Sequence, residues 1–143
     1  MEDKAGFFAR AATALKPEGR LVICAWLSAE HPARWQEKGL LEPICREGRM
    51  PHLGTETDYR RLAESAGFTC EGVQDVSSQV ASTWPRIAWT FLGKLMRDPR
   101  YARFLCNRHA RNRVFALTVF RLWVAFRIGA MRYGVFTFVK RPG

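Results

Sequence analysis

The sequence predicts an α/β fold in which strands alternate with helices around one core and a long helical stretch precedes the last strand. Three observations lead there. Leu21-Val22-Ile23-Cys24-Ala25-Trp26-Leu27 is an apolar run broken only by the small Cys24 and Ala25, and it is entered from a helix through a Pro17–Gly19 turn. Such a run reads as a strand buried on both faces. Apolar residues at helical spacing flank it on both sides, and a hydrophobic content of 48% with 13% aromatics excludes an intrinsically disordered chain. With 143 residues the chain is long enough for one real core. A strand buried on both faces needs parallel neighbours and helices on each side, yet few residues precede this one. The chain is therefore expected to begin inside a domain.

The elements follow in order. Phe7, Phe8, Ala11, Ala12 and Leu15 recur at helical spacing from Lys4 to Leu15, and Pro17 and Gly19 end that helix. The strand Arg20–Leu27 comes next, then a polar loop at Ser28–Pro32. Ala33 to Gly48 reads as mostly helical, with a break or restart expected at Pro43. Thr55 with Asp58 three residues on is a capping signature, and the helix it starts stops at Gly67, a suitable C′ glycine. Phe68 to Val76 alternates as a strand. Ser78 to Arg97 is helical with a kink expected at Pro85, and Asp98-Pro99 restarts a helix running to about His109. Ala110 to Ala130 is a third helical stretch, and Tyr133 to Val139 closes the chain as a strand. The last two strands suit a hairpin-like edge pair with helices inserted between them.

The net charge of +10 is unevenly spread. Residues 1–75 hold 10 Lys/Arg against 12 Asp/Glu, whereas residues 76–143 hold 13 Lys/Arg against the single Asp98. This asymmetry marks either a nucleic-acid or membrane-surface partner, or an acidic complement carried elsewhere. Nucleic acid is disfavoured, because the basic residues alternate with large apolar side chains and form no tight run. Cys24, Cys45, Cys70 and Cys106 show no CxxC pair, so they read as buried, reduced thiols rather than disulfides or a metal site. The charged Met1-Glu2-Asp3-Lys4 start carries no apolar signal region, which places the chain in the cytoplasm.

Several blocks resemble a known family. Leu15-Lys16-Pro17-Glu18-Gly19-Arg20-Leu21 is similar to the frequent "L-K-P-G-G-x-L" turn of class I S-adenosylmethionine-dependent methyltransferases, with Glu18 in place of a glycine. Ile44-Cys45, Arg49 to Leu53, Asp58 to Ala63, Ala66-Gly67-Phe68 and Gly129 to Thr137 resemble, in order and at suitable spacing, γ-tocopherol methyltransferase-like members of methyltransferase type 11. The resemblance covers nearly all of the chain. It implies the carboxyl-terminal half of a Rossmann-like seven-stranded sheet: its last three strands, the final one antiparallel, with residues 77–131 as a helical insert in a partial domain 1–143. It also implies S-adenosylmethionine as cofactor and a small, lipophilic or aromatic methyl acceptor. The glycine-rich turn that holds the cofactor in that family is absent here, so no cofactor-binding residue is assigned and the chain alone is expected to be inactive. The rival reading is a basic module for membrane surface or nucleic acid that keeps a methyltransferase-like half.

Ligands in open α/β sheets sit at the carboxyl ends of the strands. Trp26 is placed there, either lining an acceptor pocket or packing beneath a helix. His52 and His31 lie in loops, where an imidazole can take a proton or simply face solvent, and His109 reads as a solvated helix residue. Methyl transfer often needs only alignment, so no catalytic residue is named. Trp84, Trp89 and Phe91 sit in the insert and either shape the acceptor pocket or form its core. Arg113, Arg121 and Arg127 fall within roughly 120° of a helical wheel, a basic stripe suited to a membrane interface or to a helix packed against another half-domain. An unpaired sheet edge predicts self-association.

Overall fold

The structure is a computed structural model that describes residues 3–48, 52–100, 103 and 113–142, with side chains from 117 onward in the last segment. In chain order the elements are α1 (Lys4–Ala14), β1 (Arg20–Ser28), α2 (Arg34–Gln36), a π-helical turn (Glu37–Leu41), α3 (Glu42–Glu47), α4 (Glu56–Ser65), β2 (Phe68–Asp75), α5 (Ser77–Ala81), α6 (Thr83–Arg97), α7 (Arg113–Arg127) and β3 (Met131–Lys140). The strand order is β1-β3-β2. β3 runs antiparallel to both neighbours, with Ile23 opposite Phe136 and Phe136 opposite Val73. The antiparallel last strand is as expected, and it lies between β1 and β2. The outer edge of β1 meets, among the described residues, only a parallel bridge from Gly54 to Leu27.

Several helix ends have a local cause. Asp3 caps α1 by accepting the Gly6 N–H at 2.7 Å. Thr55 and Asp58 form a reciprocal box: the Asp58 N–H donates to Thr55 Oγ1 at 3.0 Å, and the Thr55 N–H donates to Asp58 Oδ2 at 3.1 Å. Gly67 follows α4 at φ +88°, the left-handed geometry expected of a C′ glycine. Glu18, standing where the resembled turn has glycine, also has a positive φ of 63°. Pro43 does not end its helix. The Glu42 N–H donates five residues back to the Glu37 carbonyl, and this π turn inserts one residue just ahead of the proline, which has no N–H to give. The Ser78–Arg97 helix is interrupted at Ser82, which leaves Pro85 in the first turn of α6 where it costs little. Asp98 accepts the Arg100 N–H at 2.9 Å, as an N-cap should; the helix expected from there to His109 lies outside the described residues.

The helices cover the two sheet faces unequally. On one face Phe8 of α1 and Tyr59 and Ala63 of α4 pack on Ala25, Leu27, Phe136 and Phe138. The other face is covered at the carboxyl end of β1 by a second core of Leu41, Ile44, Leu53, Leu122, Ala125, Phe126, Ala130 and Met131. Toward the start of β1 that face is open, with Val22 at 59% exposure and Cys24 exposed. The expectation of a strand buried on both faces is therefore corrected: on one face Ala25 and Leu27 are buried and Leu21 and Ile23 half-buried, and the other face is covered only at one end. The thiols need the same correction, since Cys24 is exposed and Cys45 and Cys70 are half-buried, while Cys106 lies outside the described residues.

The capping box carries a pH signature. Hydrogen bonds from the backbone of Thr55, then from its side chain, with the charges of Arg61 and Lys4, hold the Asp58 carboxyl below its ordinary value of 3.8 against an opposing effect of burial. A lowered carboxylate stabilises the fold above that ordinary value and loses its contribution as pH falls through the lower folded value. Asp58→Ala is expected to cost about 1 kcal/mol at neutral pH, and thermal melts should show the gap from wild type closing below pH ~4.

Candidate functional site

The carboxyl end of β1 opens into a cavity of about 450 Å³. Ser28, Ala29 and Glu30 form one wall, the π turn and α3 give Glu37, Leu41, Glu42, Cys45 and Arg46, and the following loop adds His52, Leu53 and Thr55. The helical residues fall at offsets of four, five, eight and nine from Glu37, so one face of a helical stretch supplies the whole wall. Leu41 and Leu53 belong equally to the second core, which makes that core the floor of the cavity.

The loop is fixed from three sides. The Ser28 N–H donates to the Gly54 carbonyl at 3.1 Å, and Lys4 Nζ donates to the His52 carbonyl at 2.8 Å. The same ammonium lies 5.6 Å from the centre of the Tyr59 ring. A Cβ at Gly54 would stand 3.1 Å from Tyr59 Cε2 and 3.3 Å from Lys4 Nζ, a tight fit that any larger residue could enter only by shifting those side chains.

The walls carry more acid than base. Glu30 accepts the Thr57 N–H at 3.1 Å. Burial is the largest single influence on its carboxyl and pushes upward, but hydrogen bonds from Thr57 and Thr55 with the Arg132 charge outweigh it, so the group titrates below its ordinary value. Glu30 is accordingly a fixed anion and a weak base. Burial pushes the Cys45 thiol up, only partly offset by the Leu53 backbone and Lys4. A protonated thiol is a poor nucleophile, so Cys45 acts as wall rather than as reactive group.

Of the residues singled out from sequence, His52 lines this cavity and is exposed. Trp26 and Trp84 do not line it. They meet each other behind its floor, ring centres 6.1 Å apart, and both contact Phe126, at 5.7 Å and 6.4 Å. Trp26 also packs edge-on against Tyr133 at 5.0 Å. Trp84 Nε1 is buried without a hydrogen-bond acceptor. His31 is exposed outside the cavity, and His109 lies outside the described residues. The basic stripe is corrected as well: Arg121 turns inward to pair with Glu47, whose side chain is 8% exposed, and Thr118 Oγ1 donates to the same carboxylate at 2.5 Å. The sequence reading missed Glu30, Leu41, Glu42, Cys45 and Arg46 as cavity residues. Their helical offsets were a usable signal, but the apolar ones were assigned wholly to packing.

No family model matches the chain. It is 27% identical over 150 aligned positions to the chloroplastic tocopherol O-methyltransferase of Arabidopsis thaliana, covering 98% of this chain and 40% of that protein. A rice protein described as a tocopherol O-methyltransferase is 29% identical over 108 positions, 68% of this chain and 30% of the relative. Among solved structures, one described as a sarcosine dimethylglycine methyltransferase from Galdieria sulphuraria superposes with a TM-score of 0.74 at 16% identity, over 99% of this chain and 49% of that one. A cyclopropane synthase from Mycobacterium tuberculosis gives 0.71 at 17% identity, over 96% and 50%. The placing of β3 antiparallel between β1 and β2 completes the fold. The chain has the fold of the carboxyl-terminal half of a class I S-adenosylmethionine-dependent methyltransferase. It spans less than half the length of the curated relatives and about half that of the structures.

The described residues of this half-fold do not supply the glycine-rich turn that would hold the cofactor. Among the described residues the glycines with positive φ are Gly67 and Gly129, and each leads from the end of a helix into a strand. Neither forms the strand-to-helix turn whose amides approach a nucleoside ligand. No step through the cofactor is derived from this chain.

Proposed function

We propose that this chain supplies the acceptor side of a small-molecule methyltransferase that uses S-adenosylmethionine held by residues outside it. The observation that carries this is the position of the cavity of about 450 Å³ at the carboxyl end of β1, where open α/β sheets bind ligands. The acceptor presents an oxygen, nitrogen or carbon nucleophile and packs its apolar body on Leu41 and Leu53. His52 borders it, while Trp26 and Trp84 back the floor and hold its shape. Residues 1–143 act as one partial domain with 77–131 as its insert. The outer edge of β1 takes a strand from the cofactor-binding half, or from a second copy when the chain is alone. The half-buried thiols suit a reducing compartment such as the cytoplasm.

Calorimetric titration of the purified chain with S-adenosylmethionine is expected to give no micromolar binding, and a micromolar Kd would overturn the division of labour. Fused to the glycine-rich half of a similar methyltransferase, the chain should support transfer of a labelled methyl group. In that fusion Glu42→Arg, which fills the cavity wall, should raise the acceptor KM at least tenfold with Tm unchanged, since Glu42 is exposed. An unchanged KM would remove the acceptor from this cavity.

A further inference from the structure

Helices α6 and α7 hold large apolar side chains out to solvent. Trp89 is 72% exposed and Met96 is 81% exposed, and at a spacing of seven they share one helical face. Between the helices runs an apolar cleft of about 200 Å³ lined by Pro85, Ala88, Trp89, Leu92, Phe120 and Trp123. The Trp89 indole also walls a shallower polar depression with Thr90, Gly93, Lys94, Arg97 and Asp98. One aromatic ring thus divides an apolar slot from a basin bearing two cations. Asp98, on the same basin, accepts the Arg100 N–H at 2.9 Å.

We propose that this face docks on the surface of an anionic lipid bilayer. Indole rings settle at the boundary between acyl chains and headgroups, with their apolar body inward and their N–H toward water. Trp89, Met96 and Trp123 enter that boundary, while Arg97 meets lipid phosphates. Charge complementarity selects the partner: α6 and the turn after it carry the exposed Arg86, Lys94, Arg97 and Arg100 against Asp98, and anionic headgroups answer that excess. A second copy seated on this face would bring the same cations against themselves. The contact is peripheral, because among the described residues no helix is long and apolar enough to cross a membrane. Binding of this kind needs no cofactor, so it stands or falls apart from the acceptor reading.

The test is co-sedimentation of the full chain with phosphatidylcholine vesicles, with and without phosphatidylglycerol. Wild type should sediment with the phosphatidylglycerol vesicles, stay in solution with phosphatidylcholine alone, and be released by salt. Trp89→Ser should weaken the partition roughly tenfold, and Arg97→Glu should weaken it and flatten its salt dependence. Circular dichroism checks that both exposed positions leave the fold intact, and Met96→Ser serves as the second apolar variant should Trp89→Ser fail that check. Wild type that ignores the anionic vesicles, or apolar variants that bind like wild type, would overturn the proposal. So would a dimer in sedimentation equilibrium that Trp89→Ser dissolves, because a second copy would then own the face.

Discussion

Phe8→Ala is expected to destabilise the chain by about 3–5 kcal/mol, the range for removing a buried phenyl ring. Phe8 is fully buried and is the centre of the first core. Its ring meets Phe7 at 5.5 Å, Tyr59 at 6.4 Å, Phe68 at 6.3 Å and Phe138 at 5.6 Å, all edge-on. One side chain therefore ties α1 to α4, β2 and β3. Edge-to-face aromatic pairs contribute about 0.5–1.5 kcal/mol beyond burial, so truncation removes more than area. Small domains have only about 5–15 kcal/mol in total, and the loss takes a large share. Phe8→Leu keeps much of the volume but gives up the ring contacts, and should cost less than Phe8→Ala, about 1–3 kcal/mol. Urea unfolding followed by circular dichroism gives both numbers. A loss below about 1 kcal/mol for Phe8→Ala would mean that α1 is not fixed on the sheet.

The features legible in the sequence are those whose cause is local. The Thr55–Asp58 box and the Gly67 stop rest on backbone chemistry within a few residues, and each is where its residues point, whereas the kink expected at Pro85 is a break at Ser82 instead. The apolar run of β1 was also legible as a strand. Its burial was not, because Val22 and Cys24 depend on which helix lies across the sheet, and that is decided by α1, α4 and the insert far along the chain. The π turn before Pro43 follows from a proline that the surrounding packing keeps inside a helix, a choice no window of sequence reveals. Arg121 shows the limit most plainly. A helical wheel places it with other arginines, but its partner Glu47 lies 74 residues away and turns it inward. The cavity was half legible: His52 by its loop, and the α3 wall only once Leu41 and Cys45 are allowed to serve both packing and site.

Glu47 is therefore the position at which the insert is joined to the cavity wall. Its carboxylate takes the Arg121 guanidinium on one oxygen and the Thr118 hydroxyl on the other, and Thr118 is 1% exposed. Glu47→Ala strands a largely buried cation and strips that carboxylate from the hydroxyl. Breaking a buried pair from one side costs about 3–5 kcal/mol. With Arg121 still 29% exposed, water relieves part of this, and about 3 kcal/mol is expected. Removing both charges in Glu47→Ala/Arg121→Met should recover part of the loss, because an apolar pair replaces the orphaned charge. The effect reaches the site as well as the fold. Glu47 is the last residue of α3, the six-residue helix that also carries Glu42 and Cys45, so freeing α3 from α7 should speed amide exchange along α3 while α4 keeps its protection. Hydrogen exchange with denaturant melts reads both. A Glu47→Ala variant within about 0.5 kcal/mol of wild type, with α3 as protected as before, would show the pair to be a surface contact and leave the cavity wall supported by the second core alone.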